Sequence, residues 1–143
     1  LINRLRFNFS HVFNEQISLK NRIELSFYSR QSNEHGFLIY QDFAFKPLKK
    51  SFSLNGRLAY FSTEGYNSRL YAYENDLLYS FSVPALFGQG VRAYLNFQQK
   101  FGNKYTLWLK IADTYQFEQN DVDVSAMSSK NTIEFKVQLH YQF

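Results

Sequence analysis

Two carboxylates stand two residues apart in this chain, at Glu74 and Asp76. Residues two apart on a strand point to the same face and lie roughly 7 Å from each other. That separation could suit a pair of carboxyl groups that divide acid and base roles between them. The chain also carries many cations, however, and neighbouring cations hold carboxylates in the ionised form. We therefore predict that Glu74 and Asp76 are partners in ion pairs.

Histidines and loop carboxylates are the other candidates for chemistry. His11, His35 and His140 are far apart in the chain, and no convergent partner for a Ser-His nucleophile or a metal can be identified. Asp121 and Asp123 could bind calcium, but a solvated loop tip is the better interpretation. The chain has no cysteine, which excludes disulfides and thiolate ligands. We predict no catalytic residue, no cofactor and no metal site.

The last stretch, residues 132–143, indicates which kind of element positions the charges. All its odd positions are apolar and all its even positions are polar, so a strand there has one apolar and one polar face. Seven earlier segments repeat the pattern, at 5–13, 17–30, 36–46, 52–60, 70–83, 91–101 and 106–117. The connections have hairpin lengths. We therefore predict an antiparallel meander of these seven strands and the last one.

The composition fits strands that are apolar on one side only. Aromatic residues make up 20% of the chain, which favours strands, yet the mean hydropathy is −0.40. Membrane barrels combine these properties because their outward residues are apolar and their inward residues polar. No apolar run reaches the roughly 18 residues of a membrane-spanning helix. We expect one all-β domain over residues 1–143, an antiparallel up-and-down transmembrane β-barrel of eight predicted strands, either complete or the last eight strands of a larger barrel.

The polar strand faces collect a predicted interior network of charges. Its members are Arg4, Arg6, Arg22, Glu24, Asp42, Arg57, Glu74, Asp76, Arg92, Lys110, Glu134 and Lys136. In a closed eight-stranded barrel these side chains would fill the interior as ion pairs. In a wider barrel the excess of cations would line a lumen that favours anions. Aromatic side chains and cations largely lie on opposite faces, so a base-stacking surface for nucleic acid is disfavoured.

A few polar residues interrupt the predicted apolar face, namely Asn21, Gln41, Asn75 and Asp113. Polar groups facing hydrocarbon are costly, so each indicates an interface, a bulge or a protein partner. Tyr60, Tyr71, Tyr105 and Tyr115 stand near strand ends and suit aromatic girdles at the two membrane surfaces. The predicted apolar face therefore meets lipid over most of its area.

The final strand, which ends in Tyr141-Gln142-Phe143, resembles the terminal strand of Gram-negative outer-membrane β-barrel proteins. The resemblance implies a place in the bacterial outer membrane and contact with its lipid. It also implies that the barrel assembly machinery reads Tyr141 and Phe143 as an assembly signal. With the chain end on the periplasmic side, the connections at Asn14, Pro47, Pro84 and 118–131 would face outside, and those at Gln31, Glu64 and Gly102 the periplasm.

A second resemblance covers residues 69–97, with the run Tyr-Ala-Tyr-Glu-Asn-Asp-Leu-Leu-Tyr-Ser-Phe-Ser-Val-Pro. This region is similar to the C-terminal barrel of Bacteroidota outer-membrane proteins that carry a helix-hairpin-helix segment upstream. We expect a non-enzymatic anchor, scaffold or subunit of an envelope assembly, with other envelope proteins as partners. The alternatives are a pore for anionic solutes, an outer-membrane hydrolase, and a soluble lipocalin-like barrel with its apolar face inward.

Overall fold

A computed structural model describes residues 1–30, 32–117 and 129–143. The strands are β1 (Ile2–Val12), β2 (Ile17–Ser29), β3 (Asn33–Phe45), β4 (Phe52–Thr63), β5 (Leu70–Tyr71), β6 (Ala85–Leu86), β7 (Gln89–Phe101), β8 (Tyr105–Phe117) and β9 (Ser129–Tyr141), with a 3₁₀ turn at Tyr66–Ser68. Within the described ranges, no helix has the length and hydrophobicity to cross a bilayer.

The seven long strands form one sheet in the order β1-β2-β3-β4-β7-β8-β9, and every neighbouring pair is antiparallel. The prediction of an all-β, antiparallel meander is therefore confirmed. Among the described residues β1 and β9 each pair with one neighbour only, so they are the two edges of the sheet.

The predicted strand at 70–83 is wrong. Residues 70–86 instead form one irregular hairpin, in which β5 pairs with β6 and Glu74 bridges Ser82 in the same register. Its tip lies at 77–80, where the Ser80 N–H donates to the Leu77 carbonyl at 3.1 Å and Tyr79 has a φ of 62°. Since β4 pairs directly with β7, residues 64–88 lie outside the sheet. We call residues 64–88 the insertion.

A small apolar cluster packs the insertion against the sheet. Leu70, Ala72 and Leu86 come from the insertion, and they are buried with Leu38, Tyr40, Ala59 and Phe61 of β3 and β4. The insertion approaches β3 closely at Gly36, where a Cβ would meet the Ser68 carbonyl oxygen. Burial of these apolar groups favours the folded-back hairpin over a further strand.

The loss of one strand reverses the predicted side of the earlier connections. The Gln142 N–H donates to the Lys104 carbonyl at 2.9 Å, so the chain end and the 102–104 turn share one end of the sheet. Because strand direction alternates, connections 13–16 and 46–51 also lie at that end, together with Asn14 and Pro47 and contrary to prediction. Glu64 and Pro84 belong to the insertion, which leaves the sheet at the opposite end. Gln31 lies outside the described residues.

The two faces of the sheet carry different side chains, as alternation requires. We call the face that bears Arg57, Arg92 and Lys110 the polar face, and the insertion covers it from β3 to β9. The opposite, apolar face is exposed, and its exposed members include Leu5, Phe7, Phe9, Ile23, Phe27, Ile39, Phe43, Leu58, Leu95, Ile111, Ile133, Phe135, Val137 and Leu139.

Candidate functional site

The polar face holds three groups of ion pairs, and the first joins β1 to β2. Arg6 donates two hydrogen bonds to the Glu24 carboxylate, of 2.7 and 2.9 Å. Glu24 is fully buried, and Arg22 lies 4.0 Å from the same carboxylate. Arg22 also donates to the Asn8 side chain at 2.8 Å. Because the two strands place Arg6 directly opposite Glu24, alternation alone brings this pair together.

The second group ties β3 and β4 to the insertion. Arg57 makes a two-point contact with Asp42, with Nε to Oδ1 at 2.5 Å and Nη2 to Oδ2 at 2.8 Å. Its Nη1 donates to the Tyr73 carbonyl oxygen of the insertion at 2.8 Å. The guanidinium carbon lies 3.6 Å from the centre of the Tyr40 ring, a cation–π distance. Every polar edge of Arg57 therefore has a partner.

The third group centres on Glu74 of the insertion. Arg92 of β7 holds its carboxylate at two points, with Nε to Oε1 at 2.6 Å and Nη2 to Oε2 at 2.9 Å. The remaining nitrogen of Arg92 donates to Thr114 at 2.6 Å and to Glu134 at 3.1 Å. Lys110 lies 3.5 Å from Glu74. The Glu74 and Arg92 side chains are 2% and 4% exposed, so this pair is held away from water.

Asp76 extends the third group to the edge strand β9. Lys136 lies 2.7 Å and Lys110 3.6 Å from Oδ2 of Asp76, while Oδ1 accepts from the Leu77 N–H at 2.8 Å. Burial alone would raise the pKa of this carboxyl, but the bond to Lys136, the Leu77 N–H and the charge of Lys110 outweigh it and hold the pKa below its ordinary value. Asp76 is therefore an ionised anchor of the hairpin tip.

Backbone carbonyls of the insertion complete the contact. The Asn75 carbonyl accepts from Asn96 at 2.8 Å and from Lys110 at 3.0 Å. The Leu78 carbonyl accepts from Gln138 of β9 at 3.1 Å. Asn75 was predicted on the apolar face, and that prediction is wrong because its segment lies over the polar face. Side chains of the sheet thus supply the hydrogen bonds that these backbone carbonyls would have received from a neighbouring strand.

Eleven of the twelve predicted network residues take part in these ion pairs. Arg4 is exposed and makes no ion pair with any described residue. Glu74 and Asp76 reach the polar face from the insertion and not, as predicted, from a strand. Sequence reasoning missed the supporting contacts of Tyr40, Tyr94, Asn55, Asn96 and Thr114. Alternation along the strands assigns these residues to the polar face, but it does not predict which of them contact the insertion or its partners.

The geometry of the Glu74 and Asp76 carboxylates suits a structural role, in which they hold the insertion against the polar face of the sheet. Both oxygens of Glu74 and both of Asp76 are already bound to cations or to a backbone N–H. His140 lies beside Trp108, with ring centres 6.2 Å apart, and His11 beside Phe13. In the part of the chain that the structure describes, no cluster of His, Asp or Glu could hold a metal. Asp121 and Asp123 lie outside the described residues.

Aromatic rings gather at both ends of the apolar face. At the end that carries the chain terminus, Tyr105 and Tyr141 have ring centres 4.9 Å apart and Phe45 and Phe52 lie 6.2 Å apart. At the other end Phe37 packs near Tyr60 and Tyr115 near Phe117. Tyr71, also predicted for a girdle, lies in the insertion. Tyr105 and Tyr115 are ten residues apart on β8, which is about 33 Å along a strand.

One cross-strand row of the apolar face carries polar side chains. Asn21, Gln41 and Asp113 belong to a single row, which also contains Phe9, Leu58, Ala93 and Ile133. Gln41 donates to Asn21 at 2.9 Å, so these two satisfy each other. Oδ1 of Asp113 is buried and has no hydrogen-bond partner among the described residues. The strands remain in register here, so these three residues are not displaced by a bulge.

The predicted assembly signal lies at the end of the edge strand β9. Tyr141 is the last residue of β9, and its ring lies 5.0 Å from that of Phe143 in an edge-on arrangement. Phe143 is fully exposed. Both rings project at the end of the apolar face that also carries Tyr105. An edge strand with an exposed aromatic end is accessible to another protein.

Comparison of the chain with protein-family models, with curated proteins and with solved structures finds no match.

Proposed function

We propose that this chain forms part of the wall of a bacterial outer-membrane β-barrel and acts there as a non-enzymatic anchor, scaffold or subunit of an envelope assembly. The observation that carries the proposal is the inverted burial of the sheet. Phe7, Leu58 and Phe135 are 64%, 61% and 67% exposed. The Lys110 and Glu74 side chains are 0% and 2% exposed.

Inverted burial is unfavourable in water and favourable in a bilayer. A continuous apolar face as large as a seven-stranded sheet would cause association in water, and buried charges are costly unless they are paired. In lipid the apolar face meets hydrocarbon, while the ion pairs lie on the side away from it. A soluble barrel with its apolar face inward is disfavoured, because the insertion packs on the polar face.

The spacing of the aromatic rings supports a membrane setting. A strand tilted by about 40° converts the 33 Å between Tyr105 and Tyr115 to roughly 25 Å along the membrane normal. That height equals the apolar band of outer-membrane barrels, which aromatic girdles flank on both sides. Leu107, Leu109 and Ile111 lie between the two tyrosines on the same face of β8.

The position of the insertion favours a function as an anchor or scaffold and disfavours a function as an open pore. Its hairpin contacts cations of β4, β7, β8 and β9, so it occupies the side on which a lumen would lie. A plugged interior is a known arrangement among outer-membrane barrels. The Tyr141 and Phe143 ending, read by the assembly machinery in the family that it resembles, supports the outer-membrane location.

A second candidate function is the binding or passage of anions. It is favoured by a cavity of about 320 Å³ between β1–β3 and the insertion, which Lys20, Arg22 and Arg57 line together with one carboxylate, Asp42. Arg57 and Asp42 neutralise each other, which leaves Lys20 and Arg22 to attract an anion. Planar-bilayer recording separates the candidates: an anchor is silent, and stable anion-selective steps would favour the pore.

Fluorescence quenching by brominated lipid tests which face meets the bilayer. The chain has a single tryptophan, Trp108, which lies on the polar face beside Leu77 and Leu78 of the insertion. In vesicles we expect weak quenching of Trp108. In a variant with Trp108→Phe and Ile111→Trp, we expect strong quenching, because position 111 lies on the apolar face of the same strand.

The two proteins are matched controls, since one strand carries both probes. Aqueous iodide serves as the opposite probe and should quench neither strongly. Equal lipid quenching at positions 108 and 111, or a chain that stays monomeric in buffer without detergent, would contradict the membrane proposal.

A further inference from the structure

The two edges of the sheet run in the same direction. Each of the seven strands is antiparallel to its neighbours, so the first and the seventh, β1 and β9, point to the same end. An antiparallel barrel closes only when the strand that meets β1 runs opposite to it. The two edges therefore cannot close on each other by antiparallel pairing, and bacterial single-chain barrels have even strand numbers.

A second copy of the chain does not solve this problem. Copies inserted in the same orientation are related by rotation about the membrane normal, which leaves strand direction unchanged. Every edge that a second copy offers to β1 or β9 then runs parallel to it. Closing an antiparallel barrel therefore needs an odd number of strands in addition to these seven.

The β1 edge indicates the chemistry of the missing partner. All residues of β1 are exposed, and Leu5, Phe7 and Phe9 on its apolar face are 53%, 64% and 64% exposed. On its polar face Arg4 makes no ion pair with a described residue, and the Arg6 side chain is 44% exposed although it holds Glu24. A neighbouring strand would present apolar residues beside the first set and carboxylates beside the two arginines.

We propose that an amphipathic partner segment, which runs antiparallel to both β1 and β9 and carries carboxylates opposite Arg4 and Arg6, completes this sheet with one strand or another odd number. The proposal rests on the membrane function proposed above. Without a bilayer the two edges need no closure, because water satisfies their N–H and C=O groups.

A strand-number experiment tests the proposal with designed probes. One variant carries, before Leu1, an 11-residue strand joined by an Asn-Gly turn, with alternating Val and Thr and with Glu opposite Arg4 and Arg6. A second variant carries two such strands. Since one addition gives an even total and two give an odd total, only the first should become a compact, heat-modifiable species in detergent micelles.

Disulfide formation provides an independent measurement that needs no designed strand. The chain has no cysteine, so a Phe7→Cys, Val137→Cys double variant reports on the two edges alone. In the unextended chain we expect no disulfide within or between molecules. An intramolecular disulfide would show direct closure of β1 on β9, and a disulfide-linked dimer would show closure by a second copy; either result overturns the proposal.

The remaining outcomes are also decisive. Equal compaction of the one-strand and two-strand variants overturns the proposal, and so does unchanged compaction when the added Glu residues are replaced by Lys. Lipid quenching of a tryptophan at position 111, measured in vesicles for the same strand-number variants with Trp108→Phe and Ile111→Trp added, separates failure of the membrane function from failure of the partner strand. Loss of that quenching in every sample sinks the membrane function, whereas retained quenching without a strand-number effect sinks only the partner strand.

Discussion

At the scale of single residues, Glu74 shows how a charge becomes part of the interior. Its carboxylate meets Arg92 at two points and Lys110 at a third, and all three side chains are almost wholly buried. A buried charge that loses its partner keeps its full desolvation cost. Glu74 is therefore the nearest carboxylate of two buried cations.

Glu74→Gln should destabilise the folded chain by about 3–5 kcal/mol, because it removes the two-point partner of buried Arg92 and leaves it only the more exposed Glu134, and leaves buried Lys110 only Asp76. The free energy of unfolding is measured by denaturant titration in detergent micelles, with Trp108 fluorescence as the signal. The matched control is Glu15→Gln, in the exposed 13–16 connection, which should change stability by no more than about 0.5 kcal/mol. Equal losses in the two variants would show that the Glu74 ion pairs contribute little.

At the scale of elements, the insertion marks the limit of what alternation can predict. The seven long strands follow from period-two patterns, since alternation gives each of them one mainly apolar face and one mainly polar face. Residues 70–83 also alternate, yet their apolar positions are shared between a buried cluster at Leu70 and Ala72 and exposed rings at Tyr73 and Tyr79. Three consecutive polar residues at 74–76 break the pattern. The sheet determines where that segment lies, through its cations and through the apolar cluster of β3 and β4 that buries Leu70 and Ala72.

The ion pairs show the same limit. Arg6 and Glu24 are direct cross-strand partners, so their pairing could be derived from register alone. Arg92 and Lys110 pair with Glu74 because a hairpin folds onto the sheet, and no spacing in the sequence specifies that contact. The faces of these charges were predictable, and their partners were not.

The insertion should loosen in acid. The pKa of Asp76 is lowered in the folded chain, so its contribution to stability is fully present above the ordinary carboxyl pKa of about 4 and is lost as the pH falls through the lowered pKa. Trp108, which lies beside the hairpin tip, should therefore keep a constant emission from neutral pH to about pH 5 and change below about pH 4.

Asp76→Asn is the control for this transition. It removes the titrating group, so the hairpin should already be looser at neutral pH and the acid change in Trp108 emission should shrink. An unchanged acid transition in Asp76→Asn would assign the effect to another carboxylate.

At the scale of the whole molecule, the two faces of the sheet differ in what covers them. The insertion covers the polar face from β3 to β9, and the apolar face is exposed and is interrupted by the row that carries Asn21, Gln41 and Asp113. Asn21 and Gln41 bond to each other, whereas Asp113 has an oxygen without a described partner. Asp113 is therefore the residue that best distinguishes a lipid environment from a protein partner on this face.

Asp113→Leu should stabilise the chain in phospholipid vesicles by about 1–2 kcal/mol, somewhat less than the 2–4 kcal/mol that a cation costs at mid-depth. Unfolding by urea in vesicles measures it. The control, Thr114→Leu, lies on the opposite face and removes the oxygen that accepts from Arg92 at 2.6 Å, so it should destabilise. A loss of stability in Asp113→Leu would indicate that a protein partner binds the carboxylate.

The contact between the hairpin tip and β9 also has a consequence for the order of synthesis. A ribosome makes the insertion well before it makes Lys136 and Gln138, the two β9 side chains that hold Asp76 and the Leu78 carbonyl. Until those residues have been made, the hairpin tip lacks its contacts with β9, and the Asp76 carboxylate lacks the Lys136 ammonium. Strand β9 thus fixes a hairpin tip that was made 60 residues earlier, so this part of the interior reaches its folded arrangement only after β9 has been made.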